Sequence, residues 1–151
     1  MKPFFLGVQV SRLPRAVPQS RPGLLIVSDK LTEFANQKYL SIESYRKTGV
    51  PVRTPVWFAE HEGRLYTYSL ADAGKVKRIR NNPTVRIAPS DVRGRVEGEW
   101  VDGTARIEDD QGERLGMSLL NKKYGLMKRI GDVFSGLLRR KRVVISIFPS
   151  Q

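Results

Sequence analysis

The stretch Tyr39–Glu60, "YLSIESYRKTGVPVRTPVWFAE", is where the fold is decided. Its apolar and polar residues alternate with a period of two, which sends successive side chains to opposite faces of a strand. "YLSIESYR" reads as one strand, "KTGVP" as a turn, and "VPVRTPVWFAE" as a second strand running back beside the first. On the second strand Val52, Thr54, Val56 and Phe58 share one face, while Arg53, Pro55 and Trp57 share the other. Pro55 has no N–H to give to a ladder, so it belongs at an edge, a bulge or a place where a sheet opens. A barrel with a gap there would admit a ligand against exposed backbone.

The same punctuation continues downstream. "EHEG" turns again, "RLYTYSL" reads as a third strand, "TVRIAPSD" as a fourth and "EWVDGTARIE" as a fifth, after the Gly-broken connection "VRGRVEG". "RVVISIFP" closes the chain as a sixth strand. Before it, "DDQGERLGMSLLNKKYGLMKRIGDVFSGLLRR" predicts helix in pieces, interrupted at Gly116, Gly125, Gly131 and Gly136. Upstream, "GLLIVSDKLTEFANQK" predicts a small helix capped by Ser28 or Asp29, with Leu31, Phe34 and Ala35 on its inner face. Residues 1–22 carry Pro14, Pro18 and Pro22 and read as either a flexible arm or an extended strap. The expectation is a mainly β domain over residues 23–151, a small six-stranded antiparallel barrel with peripheral helices.

Composition narrows the chemistry. The chain has 151 residues, 40% of them hydrophobic, which suffices for one core. Its formal charge of +12 calls for an anionic partner: nucleic acid, an acidic surface, or a ligand bearing phosphate or carboxylate. With no cysteine, disulfides, thiolate metal sites and a cysteine nucleophile are excluded. His61 is the only histidine and reads as a turn residue, which argues against a Ser–His–Asp triad. Asp109 and Asp110 are adjacent, so on a helix they diverge, and they read as N-terminal capping charge. The opening "MKPFFLGVQVSRLPR" is a poor signal peptide, and no apolar run approaches the roughly 20 residues of a membrane span. A soluble cytoplasmic protein is expected. Such a chain either binds something or borrows its reactivity from a cofactor.

One segment concentrates the positive charge. "SLADAGKVKRIRNNP", Ser69–Pro83, predicts a helix capped by Asp72, with Val76 and Ile79 on its buried side and Pro83 at its end. Lys75, Lys77 and Arg78 crowd its first turns, where the helix dipole is already positive. Cations there cost a few tenths of a kcal/mol each, up to about 1. Unpaired backbone N–H groups plus two or three cations make an anion site of the phosphate-binding type. Arg53 would reach the same anion if its strand lies alongside. A plain solvated basic face is the competing reading.

These segments resemble the split β-barrel family of pyridoxamine 5'-phosphate oxidase-like proteins. The match rests on "YLSIESYRKTGVPVRTPVWFA", "GRLYTYSLADAGKVKRIRNNPTVRIAPSD" and "VEGEWVDGTARI", with "KKYG" and "RVVISIFP" in support; residues 1–30 depart from it. More closely, the chain looks like the branch of oxidoreductases that use FMN or coenzyme F-420. The resemblance implies a homodimer with the cofactor in a groove at the two-fold interface. It implies that Lys75, preceded by Gly74, holds the cofactor phosphate, with Ser69 as a phosphate-side hydroxyl. Arg53, Thr54, Pro55, Val56 and Trp57 would contact the ring and its chain. Trp100 would face the substrate or the partner's cofactor, or else sit in the interface core. Pyridoxamine phosphate oxidases carry arginine beside that lysine, so Gly74 favours the F-420-type branch, whose carboxylate-rich tail also suits the positive chain. The implied activity is hydride transfer to a small planar or unsaturated acceptor, with a proton from solvent, Tyr66 or Tyr68. The rival from another class is a basic β-barrel that stacks bases on Trp57, Tyr66, Tyr68 and Trp100. A cofactor-binding protein without catalysis is the third reading.

Overall fold

The alternating stretch forms strands β1 (Tyr39–Tyr45) and β2 (Pro51–Trp57) in a computed structural model that describes residues 30–134 and 140–150. Their antiparallel register pairs Tyr39 with Trp57, Glu43 with Arg53 and Tyr45 with Pro51. The expected second strand then divides. After β2 the backbone leaves the ladder at Phe58 and resumes as the short β3 (Ala59–His61), so there are seven strands where six were expected. The reason lies far away in sequence. The Phe58 N–H donates to the Tyr124 hydroxyl at 3.0 Å, and that hydroxyl lies 2.7 Å from the Phe58 carbonyl and 2.8 Å from the Lys38 carbonyl. A phenol thus replaces the strand neighbour that Phe58 lacks, and satisfied backbone is what permits the break.

β3 turns into β4 (Arg64–Leu70) through Glu62 and Gly63, at φ 51° and 76°. Two left-handed residues in succession match the twist of a hairpin, and Gly63 takes that conformation without steric cost. Next come α1 (Gly74–Asn81), β5 (Thr84–Ser90), β6 (Val101–Ile107), α2 (Asp110–Phe134) and β7 (Arg142–Pro149). The strands form one antiparallel sheet in the order β2-β1-β5-β6-β7-β4-β3. The sheet curls until β2 and β4 approach without pairing, leaving a split in the barrel. β2 is the edge strand on that split, which is why Pro55 is tolerated there.

Apolar residues of period two fill the interior: Leu40, Ile42, Val56, Leu65, Val85, Ile87, Ile145 and Ile147. Val76 and Ile79 of α1 join the same core, as the helical stripe predicted. Phe34 is buried and Leu31 half-buried, but Ala35 is exposed, because the helical turn at 30–32 ends before it. A second cluster joins Ala59, Leu120 and Tyr124 to Trp57, Tyr68 and Leu119, docking α2 on the outer face.

α2 corrects the expectation of repeated breaks. Its one non-helical residue among those described is Gly125, at φ 50° and ψ −123°. Gly116 instead marks close packing: a Cβ there would sit 2.5 Å from Val144 Cγ1. Gly131 lies within the helix. Gly136, the Ser28 or Asp29 cap and the segment 1–22 fall outside the described residues. Asp109 does cap α2, its Oδ1 accepting the Gly112 N–H at 3.0 Å. No helix among the described residues is long and apolar enough to cross a membrane.

Lys123 is fixed beside this junction. Its Nζ donates to the Gln37 carbonyl at 2.8 Å and lies 3.7 Å from the Phe58 ring centre. Burial of the ammonium pulls its pKa from 10.5 to about 8. The unfolded chain therefore holds a proton between these values that the folded chain has released, so stability rises with pH across the window. Urea unfolding at about pH 8 and about pH 10 should show that rise, and Lys123→Met should reduce it.

Candidate functional site

The split between β2 and β4 opens into a cavity of about 400 Å³. Tyr39 of β1, Pro55, Val56 and Trp57 of β2, Tyr68, Ser69 and Leu70 of β4, and Ala73 and Lys75 at the start of α1 line it. One end is aromatic. Trp57 stacks on Tyr124 at 4.8 Å with 11° between planes, and lies 6.5 Å from both Tyr39 and Tyr68 in tilted arrangements. Tyr124 thus holds the indole from behind, while Tyr39 and Tyr68 flank it. A wall of this kind suits a flat ring, which gains both buried area and ring–ring contact.

The other end is cationic. α1 begins at Ala73 with no side-chain cap and no acidic residue in its first turn. Asp72, expected to cap it, instead accepts from Arg140 Nη2 at 2.8 Å. Val76 and Lys77 make the first helical hydrogen bonds, both to the Ala73 carbonyl. The amides of Gly74 and Lys75 precede them and have no intrahelical acceptor. Lys75 is half-buried, and no carboxylate pairs with it among the described residues. Its pKa is lowered by burial and then by the neighbouring Arg78. A cation kept in that state, beside open amides, is matched to an incoming oxyanion.

The split brings together six of the sequence-predicted residues: Pro55, Val56, Trp57, Tyr68, Ser69 and Lys75. The Ser69 hydroxyl presently donates to the Leu70 carbonyl at 3.3 Å. The other predicted residues do not line it, Gly74 contributing only the amide that precedes Lys75. Arg53 does not join Lys75: its Nε donates to the buried Glu43 carboxylate at 2.8 Å, and its guanidinium covers Trp100 at 4.8 Å. Arg86 covers Trp100 as well, at 5.3 Å, so that indole is held on the sheet's outer face rather than in the split. Thr54 pairs opposite the core residue Ile42, and Lys77 is exposed. Gly74 leaves room for the Arg78 guanidinium, since a Cβ there would meet Nη1 at 2.8 Å. Tyr66 is buried near Gly116, away from the split. Among the lining residues that sequence reasoning missed, Tyr39 is recoverable from the hairpin register opposite Trp57, whereas Leu70 and Ala73 carry no signal.

No protein-family model and no curated protein matches the sequence. Solved structures do. A Listeria innocua protein assigned as a pyridoxamine 5'-phosphate oxidase aligns with a TM-score of 0.54 and 21% identity, covering 83% of this chain and 94% of that one. The chain has the split-barrel fold of pyridoxamine 5'-phosphate oxidase-like proteins. An F-420 reductase aligns with a TM-score of 0.52 and 19% identity, over 80% of this chain and 93% of its own. HutZ, the heme storage protein of Vibrio cholerae, aligns with a TM-score of 0.57 and 18% identity, over 83% and 91%. At these identities the likeness is one of fold, and the fold carries more than one ligand chemistry.

Proposed function

We propose that the split binds a phosphorylated flavin or deazaflavin, FMN or coenzyme F-420, and that the protein is an oxidoreductase acting on a small planar or unsaturated substrate. The observation that carries this reading is the pairing of an aromatic wall with an unneutralised lysine at an uncapped helix start in one cavity. Lys75 and the Gly74 and Lys75 amides would hold the phosphate, and Trp57, Tyr39 and Tyr68 would flank the ring. When bound, such a ring supplies hydride chemistry that the side chains alone do not. The chain's part is to orient, to exclude water with Val56 and Leu70, and to place the Tyr68 phenol near the reacting edge. The reading extends to a cytoplasmic homodimer; light scattering of the purified protein tests the dimer.

Heme fits the residues less well. Among the described residues the lining contains no imidazole and no sulfur, and His61 ends β3 outside the cavity. Titration of the purified protein with FMN, F-420, hemin and single-stranded DNA decides between the classes. Micromolar binding of FMN or F-420, with a perturbed visible spectrum, is the expected result. Binding of DNA alone, with a steep salt dependence, would replace the enzyme reading with the nucleic-acid one.

A further inference from the structure

We infer that the turn 91–95 braces the edge strand β2 at Pro55, and that Asp91 is thereby a positioning residue for the flat ring that the split is read to admit. The inference rests on the reading of the split as a cofactor site and adds what keeps one of its walls in place.

β2 has a ladder on one side only, to β1, and its other edge faces the split. Backbone with few partners is the first to open. Arg53, Pro55 and Trp57 share one face of this strand, and each meets a different support. Glu43 accepts from Arg53 Nε at 2.8 Å, and Trp57 stacks on Tyr124. Pro55 lies between them, with an apolar ring and no N–H to give. What faces it is Gly94, from the connection between β5 and β6: a Cβ at that glycine would lie 3.4 Å from Pro55 Cδ and 3.6 Å from its Cγ.

The turn that carries Gly94 is locked from within. Asp91 Oδ1 accepts the amide N–H of both Arg93 and Arg95, each at 2.9 Å. The Gly94 N–H donates to the Asp91 carbonyl at 3.0 Å, and the Asp91 N–H donates to the Arg95 carbonyl at 3.0 Å. Gly94 takes φ 86°, which glycine adopts without steric cost. Behind the turn, Ser90 bridges to Val96, and the Glu97 N–H donates to the Pro89 carbonyl at 2.8 Å. The Arg95 amide, together with that of Arg93, holds the Asp91 carboxyl below the ordinary aspartate pKa, so it remains an acceptor at neutral pH. One carboxylate fixes the turn, the turn abuts Pro55, and Pro55 lines the cavity with Trp57. A wall held before its ligand arrives costs less to order on binding.

Asp91→Ala and Asp91→Asn test this chain of contacts, since asparagine keeps the Oδ1 acceptor and loses only the charge. The readouts are hydrogen–deuterium exchange of the free protein and titration with riboflavin and FMN. Asp91→Ala should speed exchange across Pro51–Trp57 by about tenfold, the worth of one or two lost hydrogen bonds, while β7 keeps its rate. It should weaken riboflavin and FMN alike, by about three- to tenfold, through lost pre-organisation. An effect of charge alone would instead favour the anionic FMN, and asparagine would share it. Asp91→Asn should restore both readouts. Faster exchange confined to residues 89–97 would overturn the brace. Faster exchange in β2 with unchanged affinities would overturn its part in binding. If the wild type binds neither flavin, the flavin reading of the split fails, and the exchange result still decides the brace.

Discussion

Lys75→Ala should weaken the proposed FMN binding by about 1.5–3 kcal/mol, roughly 10- to 150-fold in Kd, because it would remove a charge-assisted contact from a partly dehydrated site. The free protein holds this ammonium at a disadvantage, with burial and Arg78 both opposing its charge. A phosphate arriving there supplies the missing counter-charge and raises the lysine's pKa again. Wild-type affinity should then fall as pH rises through the free lysine's depressed pKa, while the alanine variant lacks that fall. Added salt should weaken the wild type more than the variant, since part of the attraction is screened. Fluorescence titration measures all three effects. An affinity untouched by the substitution would place the phosphate elsewhere.

Phe58→Ala has the largest expected effect on stability, about 3–5 kcal/mol, through lost burial and the cavity left behind. The ring is 1% exposed and meets Phe34 edge-on at 6.0 Å, with Lys123 on its face. At this chain length the loss lowers Tm by on the order of 10 °C. Calorimetry should show it, and Phe58→Leu should retain most of the stability by refilling the space. A drop under about 1 kcal/mol would mean that the site relaxes onto the gap.

The hairpin β1–β2 and helix α1 were legible because their information is local. Alternation around "KTGVP" sets the register, and Val76 with Ile79 marks a buried helical stripe. The break at Phe58 was not legible. Its backbone is satisfied by Tyr124, 66 positions along the chain, and no nearby residue announces that. The pairing of Arg53 with Glu43 was not legible for a similar reason: it is fixed by the strand register, which appears only in three dimensions. Gly116 read as a helix breaker because composition does not separate a flexible glycine from one that admits a neighbour. The place of Lys75 at a helix start was legible because it defies a simple rule: cations are disfavoured where a helix begins.

The phenol of Tyr124 has a geometric corollary. It bridges carbonyls that belong to the chain just before β1 and to the chain just after β2, and its ring backs the indole that lines the split. The depth of the cleft on that side is therefore calibrated by a side chain of fixed length, not by the strands. One substitution at position 124 can retune the aperture while the sheet keeps its register, a route by which one scaffold could change the size of the molecule it admits.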